Sequence, residues 1–166
     1  MAELGVVGAK NSGKTTVIEG LVKFLVREGY RVATIKHTSH SHRFDTPGKD
    51  TYRHRQAGAM LTIAAGKDET AIFAQPDLLD IQQFQSMIHQ KIDIWLIEGD
   101  RCDSRRKILV ARHLSELPKP MPENIIALIG PERLENITVS FEADDFEGLG
   151  SFVKSNVLNK IMEIHD

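Results

Sequence analysis

The sequence has little of what extracellular and membrane-bound proteins are built from. It contains one cysteine, Cys102, so no disulfide can form within the chain. No apolar stretch approaches the length of a membrane span, and the first residues lack the basic segment and long apolar stretch of a secretory signal. The formal net charge is only −2, so we expect neither nucleic acid nor an anionic membrane as the main partner. These absences predict a cytoplasmic protein.

The remaining composition is ordinary for a globular protein. Hydrophobic residues make up 41% and charged residues 27% of the 166 positions. A chain of this length can bury a proper core, and it shows no internal repeat. We therefore expect a single domain over residues 1–166.

The most specific pattern is GAKNSGKT at residues 8–15, which fits the phosphate-binding pattern G-x-x-x-x-G-K-[ST]. Glycines let the backbone approach a ligand closely, so successive N–H groups can form an anion cradle. We expect Lys14 at the β- and γ-phosphates and the Thr15 hydroxyl on a Mg²⁺ ion between them. The predicted phosphate-binding residues are Gly8, Ala9, Lys10, Asn11, Ser12, Gly13, Lys14, Thr15 and Thr16.

The flanking sequence suits this loop. A short apolar run at residues 4–7 is typical of a buried parallel strand. After the loop, apolar residues recur at helical spacing from Ile18 to Leu25, and Gly29 lies where a helix ends. Residues 30–36 are rich in β-branched side chains and predict the next strand. This β-α-β unit implies a right-handed crossover and a parallel pair of strands.

The rest of the chain continues the alternation of strands and helices. Together the elements predict an α/β fold of the P-loop NTPase type, with a mostly parallel sheet flanked by helices. The hairpin over residues 59–74 is expected as an antiparallel addition to that sheet. The further predicted strands are 59–65, 69–74, 92–97, 107–111 and 124–129, and the further predicted helices are 50–57, 76–90 and 144–164. The buried side of the 76–90 helix is expected at Leu78, Ile81, Phe84 and Ile88.

An acidic residue is expected beside the phosphates, at the tip of a buried strand. Glu98 holds that position after the apolar run at 92–97, so it is predicted to be linked to Mg²⁺. A carboxylate at a strand tip can also simply be solvated. Asp93 is the poorer candidate, because it lies where the strand enters the sheet. Lys14 and Glu98 are therefore the predicted catalytic residues.

The sequence does not name the base through a guanine-reading N-K-x-D signature. Residues 159–162 read NKIM, which lacks the aspartate. The residues themselves thus predict a purine nucleotide and go no further. The segment over residues 130–133 is a candidate for the base pocket.

A polar loop carries His37, His40 and His42, and His54 follows it in the predicted helix over 50–57. A closed structural zinc site takes four ligands, often with cysteine among them, and the only cysteine is isolated. Histidines that hydrogen-bond phosphate or backbone are the alternative to metal binding.

Two groups of charged residues lie beyond the phosphate loop. Asp45 and Asp50 are candidates for a second approach to Mg²⁺, and Arg53, His54 and Arg55 for phosphate. A second basic cluster at Arg101, Arg105, Arg106 and Lys107 could hold an anionic ligand. Either group could equally be a solvated surface.

The order of motifs resembles one family. The phosphate loop is followed by TIKHTSH, by DTPGKDTYRHRQAGA and by IEG at a strand end, and this combination resembles the molybdopterin-guanine dinucleotide biosynthesis protein B (MobB) family. The resemblance implies GTP and Mg²⁺ binding, weak GTPase activity and a homodimer. It also implies assistance to the nucleotidyltransferase that attaches GMP to molybdopterin.

The resemblance extends to individual residues. By position, residues 8–16 match the phosphate-binding loop and Glu98 matches the Mg²⁺-linked acid. The family's second motif, whose role the resemblance does not define, is matched by Asp45, Lys49, Asp50, Arg53 and His54. Of these, Asp50, Arg53 and His54 are the predicted ligand contacts.

Two functions remain open at this point. The first is an accessory GTP-binding protein that hydrolyses GTP slowly and acts on a partner enzyme. The second is a stand-alone small-molecule kinase on the same scaffold, for which residues 100–106 could form a short lid. Dependence of nucleotide hydrolysis on a small acceptor distinguishes the two.

Overall fold

The structure is a computed structural model that describes residues 1–38, 43–99, 102, 104–130, 134, 137 and 139–159. The chain forms two compact units, one of residues 1–37 and 90–166 and the other of residues 38–89. The expectation of a single domain over residues 1–166 stays a prediction. Within the described residues, no helix is both long and apolar enough to cross a membrane.

The secondary structure alternates between strands and helices through most of the chain. In chain order the elements are β1 (Ala2–Val7), α1 (Lys14–Arg27), β2 (Val32–Lys36), α2 (Asp50–Gln56), β3 (Leu61–Ala65), β4 (Thr70–Ala74), α3 (Ile81–Met87), β5 (Ile94–Glu98), β6 (Lys107–Val110), β7 (Ile125–Ile129), β8 (Ser140–Phe141) and α4 (Phe146–Val153). A π-helical segment, Lys154–Leu158, continues α4. The sequence therefore predicted each of these elements except the two-residue β8, with boundaries shifted mostly by one or two residues.

The first unit contains a six-stranded sheet in the order β2-β5-β1-β6-β7-β8, in which every pair is parallel. The α/β class and the mostly parallel sheet are confirmed. The expectation that β1 and β2 pair directly is wrong, because β5 lies between them. The residues of β5 from Ile94 to Ile97 are all buried, which suits a position inside the sheet, whereas Thr34 and Lys36 of β2 are exposed, as at an edge.

The core of this unit lies between the sheet and the helices α1 and α4. The predicted apolar side of α1 is buried at Ile18, Leu21 and Leu25. The two helices approach closely, because Phe24 packs against Gly150 where a Cβ would collide with the ring. The Asp145 carboxylate accepts a hydrogen bond from the Gly148 N–H at 2.9 Å and caps α4.

The second unit contains the hairpin and the helices α2 and α3. β3 and β4 pair antiparallel in the register Ile63 to Ile72, so the hairpin is confirmed. It forms a two-stranded sheet of its own, and the expectation that it extends the parallel sheet is wrong. Leu61, Ile63 and Ile72 are exposed on one face of this small sheet.

Helix α3 is shorter than the sequence predicted. It begins at Ile81, because the Asp80 carboxylate accepts hydrogen bonds from the backbone N–H groups of Gln82 at 2.7 Å and Gln83 at 3.3 Å. Leu78 therefore precedes the helix, and both Leu78 and Ile81 are exposed, at 48% and 43%. The predicted buried side is thus wrong at these two positions.

Candidate phosphate-binding site

The loop between β1 and α1 has the backbone conformation that an anion site requires. β1 ends at Val7, and Gly8, Asn11 and Gly13 all adopt positive φ angles, of 153°, 63° and 105°. Gly13 precedes α1, and no side chain caps this end of the helix. The first N–H groups of α1 therefore lack a side-chain acceptor and lie at the positive end of the helix dipole.

Lys14 lies across this loop. Its ammonium group donates hydrogen bonds to the backbone carbonyl oxygens of Gly8 at 3.2 Å and Ala9 at 2.5 Å. Burial lowers the pKa of Lys14 below its ordinary value, while nearby Glu98 acts to raise this pKa and nearby Lys36 acts to lower it. The lysine is thus positioned in the loop without a paired carboxylate at hydrogen-bond distance among its described contacts.

Thr15 and Glu98 are in contact, as the motif reading predicts. The Thr15 hydroxyl lies 3.3 and 3.2 Å from the two carboxylate oxygens of Glu98 and donates to them. Glu98 is the last residue of β5, in register with Val6 of β1, and its side chain is 12% exposed. The hydroxyl and carboxylate are hard oxygen donors of the kind that Mg²⁺ takes in proteins, so this pair fits the predicted metal.

Lys36 also belongs to this group, and the sequence reasoning missed it. It is the last residue of β2, in register with Glu98, and its ammonium group lies 3.1 Å from a Glu98 carboxylate oxygen. The signal available in the sequence was the strand end itself, because parallel strands end at the same edge of a sheet. That signal becomes usable only once β2 is known to lie beside β5.

A cleft of about 300 Å³ adjoins the loop. Ser12, Gly13 and Thr16 line one side, and Arg112 and Gly130, after the ends of β6 and β7, line the other. The Ser12 hydroxyl is buried and has no hydrogen-bond partner among the described residues. An unsatisfied buried hydroxyl beside a cleft suits a polar ligand.

The candidate base segment over residues 130–133 falls partly on this cleft. Gly130 lines it, and residues 131–133 lie outside the described residues. The base-pocket prediction therefore stays a prediction, supported at one of its four positions.

The histidines are not gathered into a described metal site. His37 and His54 are exposed, while His40 and His42 lie outside the described residues. Among the residues that the structure does describe, no group of three His, Cys, Asp or Glu side chains could hold a metal ion.

The second motif divides into a buried part and an exposed part, both in the second unit. The Asp45 carboxylate is buried, accepts a hydrogen bond from Thr51 at 2.9 Å and pairs with Arg55 at 3.3 Å. Arg55 in turn lies over the Phe73 ring, 5.5 Å from its centre. These contacts join the residues before α2, the helix and the hairpin, so Asp45 and Arg55 hold this unit together. They do not support the expectation that Asp45 approaches Mg²⁺ or that Arg55 binds phosphate.

The exposed part of the motif lies on and just before α2. Lys49, Asp50, Arg53 and His54 are all exposed. Arg53 and Asp50 form a solvent-exposed pair at 3.6 Å. These side chains remain available to a ligand or partner, and the ligand contacts expected of Asp50, Arg53 and His54 stay a prediction.

The described members of the second basic cluster are engaged within the first unit. Arg105 pairs with Glu3 at 2.8 Å, and Arg106 donates to the Asn156 carbonyl oxygen at 2.6 Å. Lys107 is fully buried and donates to two backbone carbonyl oxygens at 3.0 Å each. These contacts contradict an open anion site at the three residues, and Arg101 lies outside the described residues.

The parallel sheet flanked by helices places the protein in the α/β class, and the loop between its first strand and first helix carries the G-x-x-x-x-G-K-[ST] pattern. Within that class, the family described as "Molybdopterin guanine dinucleotide synthesis protein B" matches residues 3–131. The chain therefore belongs to the MobB family, and the resemblance drawn from the motifs is confirmed.

Individual relatives agree with this placement. A molybdopterin-guanine dinucleotide biosynthesis adapter protein of Haemophilus influenzae is 38% identical over 125 residues, which are 72% of this chain and 67% of the relative. The protein of that name from Escherichia coli is 35% identical over 149 residues, 86% of this chain and 85% of the relative. A crystal structure of Bacillus subtilis MobB superposes with a TM-score of 0.78 at 27% identity, covering 95% of this chain and 98% of that one.

Proposed function

We propose that this protein is an adapter in the synthesis of molybdopterin-guanine dinucleotide and that it binds GTP with Mg²⁺ at residues 8–16. Membership of the MobB family supports the pathway, and the names of the Haemophilus influenzae and Escherichia coli relatives support the adapter role. The observation that carries GTP-Mg²⁺ binding is the loop itself, with Lys14 inside it and Thr15 bonded to Glu98.

Each residue of the site has a proposed role. The backbone N–H groups of residues 8–16 bind the phosphates, and Lys14 adds one positive charge to them. Thr15 and Glu98 hold Mg²⁺, which when bound neutralises the phosphate oxygens. The cleft beside Ser12 and Arg112 receives the nucleoside part of the ligand.

Membership of the MobB family supports a proposal about partners. We propose that the protein assists the nucleotidyltransferase that joins GMP to molybdopterin, hydrolyses GTP only slowly, and acts as a homodimer in the cytoplasm. We propose that molybdopterin or GTP contacts Asp50, Arg53 and His54, because these residues are exposed on α2.

Titration of GTP into the protein in the presence of Mg²⁺ tests nucleotide binding. Replacing Lys14 by alanine removes charge-assisted hydrogen bonds, each worth about 1.5–3 kcal/mol, so we expect affinity to fall about tenfold or more. Lys23→Ala is the matched control, because Lys23 is an exposed lysine on α1 away from the loop. Undiminished GTP affinity in a folded Lys14→Ala variant contradicts the proposed site.

Hydrolysis assays test the adapter role. We expect slow GDP release that small acceptors do not accelerate, and faster formation of the guanine dinucleotide when the protein is added to its nucleotidyltransferase. Rapid GDP release that depends on a small acceptor would instead identify a kinase.

A further inference from the structure

Lys36 and Glu98 form an ion pair at the edge of the sheet where the phosphate loop lies. Lys36 ends β2 and Glu98 ends β5, and the two are register partners. The Lys36 ammonium group lies 3.1 Å from one Glu98 carboxylate oxygen. The Lys36 side chain is 59% exposed and the Glu98 side chain only 12% exposed, so the lysine is the partner that can move away.

The same carboxylate is bonded to Thr15. Both Glu98 oxygens lie within hydrogen-bond distance of the Thr15 hydroxyl. Lys36, Glu98 and Thr15 therefore form one connected group, in which the lysine contacts the carboxylate proposed to hold Mg²⁺. The Lys36 ammonium group lies 3.1 Å from a Glu98 oxygen, so it would strongly repel a dication bound to the same carboxylate.

We propose that Lys36 is a positioning residue that neutralises Glu98 in the metal-free protein and is displaced from it when Mg²⁺ binds. This inference rests on the proposed function, because it takes Thr15 and Glu98 as the metal-binding groups. The Lys36–Glu98 pair and the bound metal exclude each other. Lys36 consequently raises the metal concentration that is needed for the metal and the nucleotide to bind together.

The competition has two consequences of opposite sign. Without Lys36, a metal ion no longer has to displace an ammonium group, so metal binding strengthens. Without metal, an unneutralised Glu98 repels the triphosphate, so metal-free binding of phosphates weakens. A lysine that contacted the phosphates directly would instead strengthen binding under both conditions, and its removal would weaken both.

The test uses the variant Lys36→Met with inorganic tripolyphosphate and GTP as separate probes. Each is titrated by calorimetry in EDTA, and Mn²⁺ binding to the protein with each probe is followed by electron paramagnetic resonance. For a partly exposed ion pair we expect a change of about fivefold in each measurement. In Lys36→Met, the Mn²⁺ concentration at half-saturation should fall about fivefold, and the affinity for either probe without metal should weaken about fivefold.

Two further variants control the test. Lys36→Arg keeps the charge and should stay closer to the original protein in both measurements, and Lys23→Met changes an exposed lysine outside the site. Equal weakening of binding with and without metal in Lys36→Met, or no change in either, overturns the proposal. Binding of tripolyphosphate without binding of GTP removes the guanine assignment yet leaves the Lys36 test in force, whereas binding of neither overturns both.

Discussion

Replacing Gly8 by alanine tests how the phosphate loop is built. Gly8 follows β1 with a φ angle of 153°, and a Cβ there would collide with the backbone carbonyl oxygen of Val110 and lie 2.8 Å from the Ser12 hydroxyl oxygen. The Val110 carbonyl cannot easily retreat, because β6 is paired with β1 on one side and β7 on the other. The substitution therefore combines backbone strain with overpacking.

The magnitude follows from these two contributions. A side chain at positive φ costs about 1–2 kcal/mol, and overpacking a well-packed site costs about 1–3 kcal/mol. We expect Gly8→Ala to lower the free energy of unfolding by about 2–5 kcal/mol in total. Gly29 is the matched control, because it has a φ angle of 86° and no neighbouring atom within 4 Å of a Cβ. Gly29→Ala should cost only the backbone contribution, about 1–2 kcal/mol.

Urea unfolding of both variants measures these losses, and GTP titration of the folded proteins measures binding. We expect Gly8→Ala to lose affinity because the loop is displaced, and Gly29→Ala to keep it. Equal losses of stability in the two variants, or unaltered GTP affinity in Gly8→Ala, would refute the reasoning.

Three further predictions concern other parts of the chain. Asp45→Ala removes a buried carboxylate that Thr51 and Arg55 use as acceptor, and it should lower the free energy of unfolding by about 2 kcal/mol. The exposed Asp50→Ala should change it by at most about 0.5 kcal/mol, and similar effects of the two variants in urea unfolding would contradict the burial of Asp45. The Arg31 side chain hydrogen-bonds to Asp93 and holds the pKa of that carboxyl below its ordinary value, so the pair stabilises the fold above about pH 4 and the stabilisation is lost as pH falls through the lower, folded-state pKa. In Asp93→Asn, the free energy of unfolding should therefore fall less steeply as the pH is lowered. An unchanged pH dependence would exclude this pair as a source of the acid sensitivity. Arg53→Ala should impair dinucleotide formation more than GTP affinity, and equal losses in the two assays would place Arg53 in the nucleotide site.

The sequence predicted the phosphate loop and most elements because their signals are local. The glycines and lysine of the loop stand at fixed spacing, and the apolar run of β5 is continuous, so both can be recognised without knowing their neighbours. Even the contact of Thr15 with Glu98 follows from the rule that strand ends meet at one edge of the sheet.

What could not be predicted depends on the order of strands and on side-chain capping. No local pattern states that β5 lies between β1 and β2, and Lys36 is recognisable as a neighbour of Glu98 only when that order is known. The start of α3 was misplaced because the Asp80 carboxylate caps the helix several residues after the predicted start at residue 76.

The second motif shows a further limit of sequence reasoning. Asp45 and Asp50 are chemically alike and close in sequence, yet one is buried between Thr51 and Arg55 and the other is exposed. Periodicity cannot separate them, because Asp45 lies before the helix, where no regular repeat applies.

A crystal structure with Mg²⁺ and a non-hydrolysable GTP analogue tests the central claim most directly. We expect the triphosphate to lie against the backbone N–H groups of residues 8–16, with the metal at Thr15 and Glu98. The Lys14 ammonium group should have left the Gly8 and Ala9 carbonyl oxygens for the phosphates. A structure in which Lys14 keeps both carbonyl contacts while the analogue binds elsewhere would contradict the account.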